Sequence, residues 1–182
     1  MQGRRQNGAP GEGLLTTATG GNGARALEDR LRRLEDERDI RDLIIRYAQR
    51  LDARDHKGYA QLFARDGRWS GRMGDATGPE AIEAMLIEGL GPTPENFRNT
   101  RNFHLMSNIV IEIDGDTATA ESRLVYFVRS AEARPQPMLA GRYEDELVRE
   151  DGRWRFKFRQ VIGEIPTREE QPVRTAEEEG HE

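Results

Sequence analysis

Leu27, Leu31, Leu34, Ile40, Leu43, Ile44, Tyr47, Ala48 and Leu51 recur mostly three and four positions apart, with Glu, Asp and Arg filling the gaps. That period predicts one long amphipathic helix, ending near Asp52 or Ala53. Asp55 then stands as the N-cap of a second, short helix carrying Tyr59, Leu62 and Phe63. Gly67 breaks it, and Arg68-Trp69-Ser70 opens a short strand. Gly78-Pro79 introduces a third helix, with Ile82, Met85, Leu86 and Leu90 along one face.

Beyond a loop containing Pro and Asn the period falls to two. Residues 101–113 end in the alternation Ile109, Ile111, Ile113, and Asp114-Gly115 turns the chain into Ala118, Ala120, Ser122, Leu124, Tyr126 and Val128. A further strand over 138–149 carries Leu139, Gly141, Tyr143 and Leu147 on one parity. Asp151-Gly152 turns into Trp154, Phe156 and Phe158. Three helices followed by four antiparallel strands predict an α+β domain in which the helices cover one face of a sheet. Val125 and Phe127 lie on the parity opposite to Leu124 and Tyr126, so the other face is also apolar and needs cover. A homo-oligomer, dimer or trimer, is the expected source of that cover.

Residues 1–25 and 166–182 hold little to bury and read as tails around a domain over 26–165. The 182-residue chain carries a formal net charge of −5 with acids and bases intermixed, so no basic stripe is available for nucleic acid. It has no cysteine, which removes disulfides, thiolate metal sites and a cysteine nucleophile. No apolar run has the roughly 18 residues of a membrane span, and Arg4-Arg5 is followed by polar residues rather than the apolar segment of an export signal. A cytoplasmic protein without membrane contact is expected. The three histidines lie far apart, so no metal site is legible. Without a glycine-rich loop between strand and helix, no nucleotide cofactor is expected either.

The stretch IRDLIIRYAQRLDARDHKGYAQLFARDGRW at 40–69 resembles the opening of SnoaL-like proteins, within the nuclear-transport-factor-2-like superfamily. NFHLMSNIVIEIDGDTATAES at 102–122 and GRYEDELVREDGRWRFKFRQV at 141–161 resemble its later strands, in order. The resemblance implies a cone-shaped α+β barrel, three N-terminal helices packed on a curved antiparallel sheet. The polar pattern is most similar to scytalone dehydratase, bile-acid 7α-dehydratase and hexachlorocyclohexane dehydrochlorinase. In the last two, an Asp ending the first helix pairs with a His on the strand after the third; those positions fall on Asp52 and His104. Tyr47 matches a tyrosine of the bile-acid enzyme, where the dehydrochlorinase has Lys. Arg159 stands at the spacing of a dehydrochlorinase arginine after Asp151-Gly152-Arg153-Trp154. Scytalone dehydratase uses a second pocket histidine, for which only His56 and His181 remain.

An imidazole held by a carboxylate is a suitable base near neutral pH. His104 could equally be a core or edge histidine, and Tyr47 a packing residue. Simple alternation puts Arg159 with Arg155 and Lys157, opposite Trp154, Phe156 and Phe158; it reaches a pocket only if the strand is bulged. Trp69, Met85, Phe103 and Met106 are candidate substrate-binding walls, together with Asn108, Tyr126 and Tyr143. The resemblance implies a cofactor-independent lyase of the dehydratase kind acting on a small, hydrophobic, cyclic substrate. An isomerase or polyketide cyclase using the same pocket, or a non-catalytic binding or assembly protein, are the alternatives.

Overall fold

The computed structural model describes residues 20–167; His181 and most of both expected tails lie outside them. Among the described residues the elements run α1 (Gly20–Asp52), α2 (His56–Ala60), β1 (Phe63–Gly71), β2 (Gly74–Thr77), α3 (Pro79–Leu90), β3 (Asn102–Asp114), β4 (Thr117–Arg129), β5 (Pro135–Glu150) and β6 (Arg153–Ile165). The strands form one sheet in the order β2-β1-β6-β5-β4-β3. Its long hairpins are antiparallel as expected, but β1 joins the far side of β6 in parallel and brings β2 with it. The short strand at Arg68 is therefore longer than the sequence suggested. Phe63, expected on the second helix, begins it, because α2 stops after five residues.

Ile40, Leu43, Ile44, Tyr47 and Ala48 of α1, Ile82 and Leu86 of α3, and the inward residues of β4–β6 make one core. Asp36, midway along α1, fixes the helix to the sheet, accepting hydrogen bonds from Arg149 and from the Trp154 indole. The start of α1 departs from the expected single stripe. Every side chain from Asn22 to Glu35 is exposed, and Leu27, Leu31 and Leu34 are 65%, 55% and 64% accessible. At about 3.6 residues per turn, these leucines lie nearly opposite the line through Ile40, Leu43 and Tyr47. The six-residue step from Leu34 to Ile40 marks the change of phase.

β3 is an edge strand, and α1 lies along it: the Arg41 guanidinium donates to the Ile109 carbonyl at 3.1 Å. Between Ser107 and Val110 the strand bulges, with Asn108 at a φ of 49°. The sheet's outer face carries Phe103 stacked on Phe127, with Leu105, Val110 and Met138 exposed around them.

α2 is capped as its sequence promised, Asp55 accepting from the Gly58 amide at 2.8 Å. His56, its first residue, is buried, and its Nε2 has no hydrogen-bond partner. Desolvation, and then the nearby Arg54 charge, lower its pKa below the ordinary imidazole value. The unfolded chain therefore binds a proton there more readily than the native one. The native contribution is full above the unfolded pKa of about 6.5 and is lost as pH falls through the lowered native value. We expect the urea midpoint to drop between pH 7.5 and pH 5.5, and the drop to shrink in His56→Gln. Equal drops in both proteins would remove His56 as the cause.

Candidate active site

Asp52 is the last residue of α1, where a carboxylate opposes the helix dipole and is locally unfavourable. Its compensation comes from β3. Asp52 Oδ2 accepts the His104 backbone N–H at 3.0 Å, and Oδ1 lies 2.6 Å from His104 Nδ1. The first bond exists because β3 is an edge: an outward N–H has no neighbouring strand, so the helix end takes it. A carboxylate only accepts, so Nδ1 carries the proton. Nε2 then holds the lone pair of the neutral ring. The side chains of His104 and Asp52 are 16% and 20% accessible. The Tyr126 ring lies beside the imidazole, 4.7 Å between centroids.

Asn99 holds this corner together. Its amide donates to the Asp52 carbonyl at 2.8 Å and to Asn102 Oδ1 at 2.9 Å. Its oxygen accepts from the Arg101 and Asn102 amides. One side chain thus satisfies a carbonyl at the end of α1 and fixes the entry into β3. The sequence reading missed it, since an Asn in a polar loop gives no periodic signal.

Tyr47 and Arg159 form a second, deeper group. A register shift opposite Glu146 and Leu147 inserts one residue into β6 between Phe156 and Phe158. Phe158 therefore leaves the parity of Trp154 and Phe156, and Arg159 turns inward. Its side chain is wholly buried and makes two bonds to the equally buried Asp145, at 2.7 and 2.6 Å. The guanidinium lies 4.0 Å from the ring centroids of Tyr47 and Phe156 and 4.3 Å from that of Tyr143. Desolvation works against its charge, but the attraction and hydrogen bonds of Asp145 hold its pKa above the ordinary value. Burial pushes the Tyr47 phenol up, and Tyr59 and Tyr143 further. The Tyr59 and Tyr143 rings lie 4.6 and 5.4 Å from that of Tyr47, centroid to centroid, and the Tyr47 hydroxyl accepts from Trp69 Nε1 at 2.9 Å. These phenols stay neutral.

The four central candidates thus fall into two groups. Arg159 pairs with Asp145, Asp145 with Ala120, and Ala120 with Ile111; His104 lies on the strand of Ile111, seven residues earlier. On α1 the two groups are close, since Tyr47 and Asp52 stand five residues apart, about 7.5 Å along the helix axis at 1.5 Å per residue. The inner sheet face between them carries Met106, Leu124, Gly141 and Ser122, whose hydroxyl is buried without a partner. Trp69 and Tyr143 belong to the deep group, Met106 and Met85 are half-buried against the core, and Tyr126 stands at the dyad. Phe103 and Asn108 lie elsewhere. Alternation from His104 turns Phe103 to the outer face, where it stacks on Phe127, and the bulge leaves Asn108 exposed. Asp145 and Tyr59 were missed. An acid on the inward parity of Tyr143 and Leu147 was the available signal for a buried arginine.

Removing one member of a buried ion pair strands the other, at a cost of about 3–5 kcal/mol. Asp145→Ala should lose that much in urea denaturation, whereas Arg159→Met with Asp145→Leu should recover most of it. At the dyad, imidazole 15N shifts should report the proton on Nδ1 in the wild type. A mixture of tautomers is expected in Asp52→Ala.

The SnoaL-like domain family matches residues 32–160. No curated protein matches the chain. Among solved structures, a Novosphingobium aromaticivorans protein provisionally named a scytalone dehydratase is 32% identical, over 72% of this chain and 85% of that one, with a TM-score of 0.59. An NTF2-like protein with a cystatin-like fold from the same organism is 26% identical, over 74% and 86%, with a TM-score of 0.64. A hexachlorocyclohexane dehydrochlorinase is 22% identical over 74% and 88%, with a TM-score of 0.61, and shares the fold. The cone of helices on a six-stranded sheet is the NTF2-like fold, and the chain belongs to the SnoaL-like domain family.

Proposed function

We propose that the protein is a cofactor-independent lyase that removes water from a small hydrophobic, cyclic hydroxy-carbonyl compound. The observation that carries this reading is the two-point grip of Asp52 on His104, which fixes the ring and leaves Nε2 as the base. The similarity to the protein provisionally named a scytalone dehydratase supports the reaction class.

In this reading Nε2 takes a proton from carbon next to the carbonyl. The C–H electrons form the enolate, whose collapse makes the C=C bond as the β-carbon–oxygen bond breaks. The imidazolium gives its proton to the departing hydroxide, so one alkene and one water leave and His104 returns neutral. Asp52 stabilises the imidazolium without itself being protonated. Enolate charge needs a donor in a site with little water. Tyr47, kept neutral by burial, has a proton to give, because its oxygen already accepts from Trp69. Arg159 Nη1 is buried without a partner and is the remaining donor toward a leaving oxygen. Both would act from the deep end of the concave face, with the dyad at its mouth.

The test is a panel of cyclic β-hydroxyketones in D2O, followed by NMR. Alkene appearing with loss of hydroxyl supports the lyase. Deuterium entering next to the carbonyl without loss of hydroxyl replaces it with an isomerase or cyclase. Binding with neither replaces it with a ligand-binding role. For an active substrate, His104→Ala should lower kcat about 10²–10⁴-fold, the range of a general base, with a smaller loss for Asp52→Asn.

A further inference from the structure

We propose that the first half of α1 pairs, in parallel and in register, with the same segment of a second copy of this chain. Leu27, Leu31 and Leu34 follow a four-then-three spacing, the d-a-d step of a coiled-coil seam. All three are more than half exposed and lie on the side of α1 turned from its own domain. The domain side is marked by Arg32, which reaches Asp116 in the β3–β4 turn at 3.4 Å, and by buried Asp36. A line of leucines on the opposite side therefore serves no contact within the described residues.

The flanking charges select the occupant. With Leu31 at position a, Arg30 falls at g and Glu35 at e. In a parallel pair, g of one helix faces e of the following heptad on the other, so Arg30 meets Glu35 twice, once on each side. An antiparallel pair would set Glu28 against Glu35 instead, both at e. Among the described residues Arg30 and Glu35 belong to no ion pair, whereas Arg32, Arg33 and Arg38 each have an intrachain acid. Helix formation points the same way. α1 begins Gly20-Gly21-Asn22-Gly23, four poor helix formers, and a helical stretch with no packed face is marginal in water. A partner helix on the leucine seam supplies the missing packing. The pairing is isologous, about a two-fold axis along α1, and it is separate from the outer sheet face.

The cysteine-free sequence makes a direct test possible in the full chain. In a parallel pair Leu27 faces Leu27, so Leu27→Cys should oxidise to a covalent dimer at tens of micromolar. Asp29→Cys, on the domain side of the helix, should not. In sedimentation, Leu31→Glu should weaken self-association at least tenfold. Arg30→Glu should weaken it too, with recovery when Glu35→Arg is added. All these side chains are exposed, so the core stays intact. The proposal is overturned if Leu27→Cys links no better than Asp29→Cys, as when residues outside 20–167 cover the seam. Linkage only between Leu31→Cys and Leu34→Cys chains, the antiparallel outcome in which a faces d, overturns it as well. So does an association that charge reversal leaves unchanged.

Discussion

A guanidinium shut away from water has to be compensated, and four elements of this protein converge on that requirement at Arg159. The bulge in β6 turns it inward, and β5 supplies the carboxylate of Asp145 in a two-bond pairing. α1 supplies the face of Tyr47, β5 that of Tyr143, and Trp69 from β1 fixes Tyr47 by its indole N–H. Without the bulge the charge would face outward, and the aromatic residues would have no common centre. The parallel placement of β1 beside β6 depends on the same spot, since Trp69 is paired with Arg159 in register. A hydrophobic side chain of similar volume would stabilise the interior as well or better. A charge kept there nonetheless fixes one arrangement of helix and sheet, because alternatives would leave it unpaired.

The dyad rests on a different constraint, the unpaired backbone of an edge strand. β3 must have its free N–H and C=O groups met, and α1 meets them with side chains: Arg41 at the Ile109 carbonyl, Asp52 at the His104 amide. The imidazole orientation is then a by-product of covering the edge. Position and orientation of the imidazole are fixed by the same carboxylate, as the proposed role of His104 as a base requires.

Much of this was legible in the sequence, and the failures have physical causes. Helix and hairpin periods placed α1, α3 and β3–β6, since each buries one face and must show it. The parallel β1–β6 contact was not legible, because partner choice across a sheet leaves no local trace. The inward turn of Arg159 was legible only as a condition, since a bulge is one extra residue with no composition of its own. Alternation put Phe158 with Trp154 and Phe156, and the bulge removed it. For the site, resemblance brought Asp52 and His104 together, and a chain of hydrogen bonds joins them. Phe103 failed because a strand with apolar residues on both faces does not say which face turns inward.

The same ambiguity explains α1. Leucines at helical spacing were read as one stripe, yet a stripe is defined by phase as well as by interval. From Leu27 to Leu34 the line runs along one side; from Ile40 onward it runs along the other. A single continuous core contact cannot produce that shift in a straight helix, since a side chain returns to the same face only after three or four residues. Two contacts on opposite faces can. One is the domain's own core. The other requires a surface that the described part of the fold does not contain. α1 is about 50 Å long at 1.5 Å per residue, and its first half extends beyond what the sheet needs to be covered. Length and phase thus agree that its two halves answer to different partners.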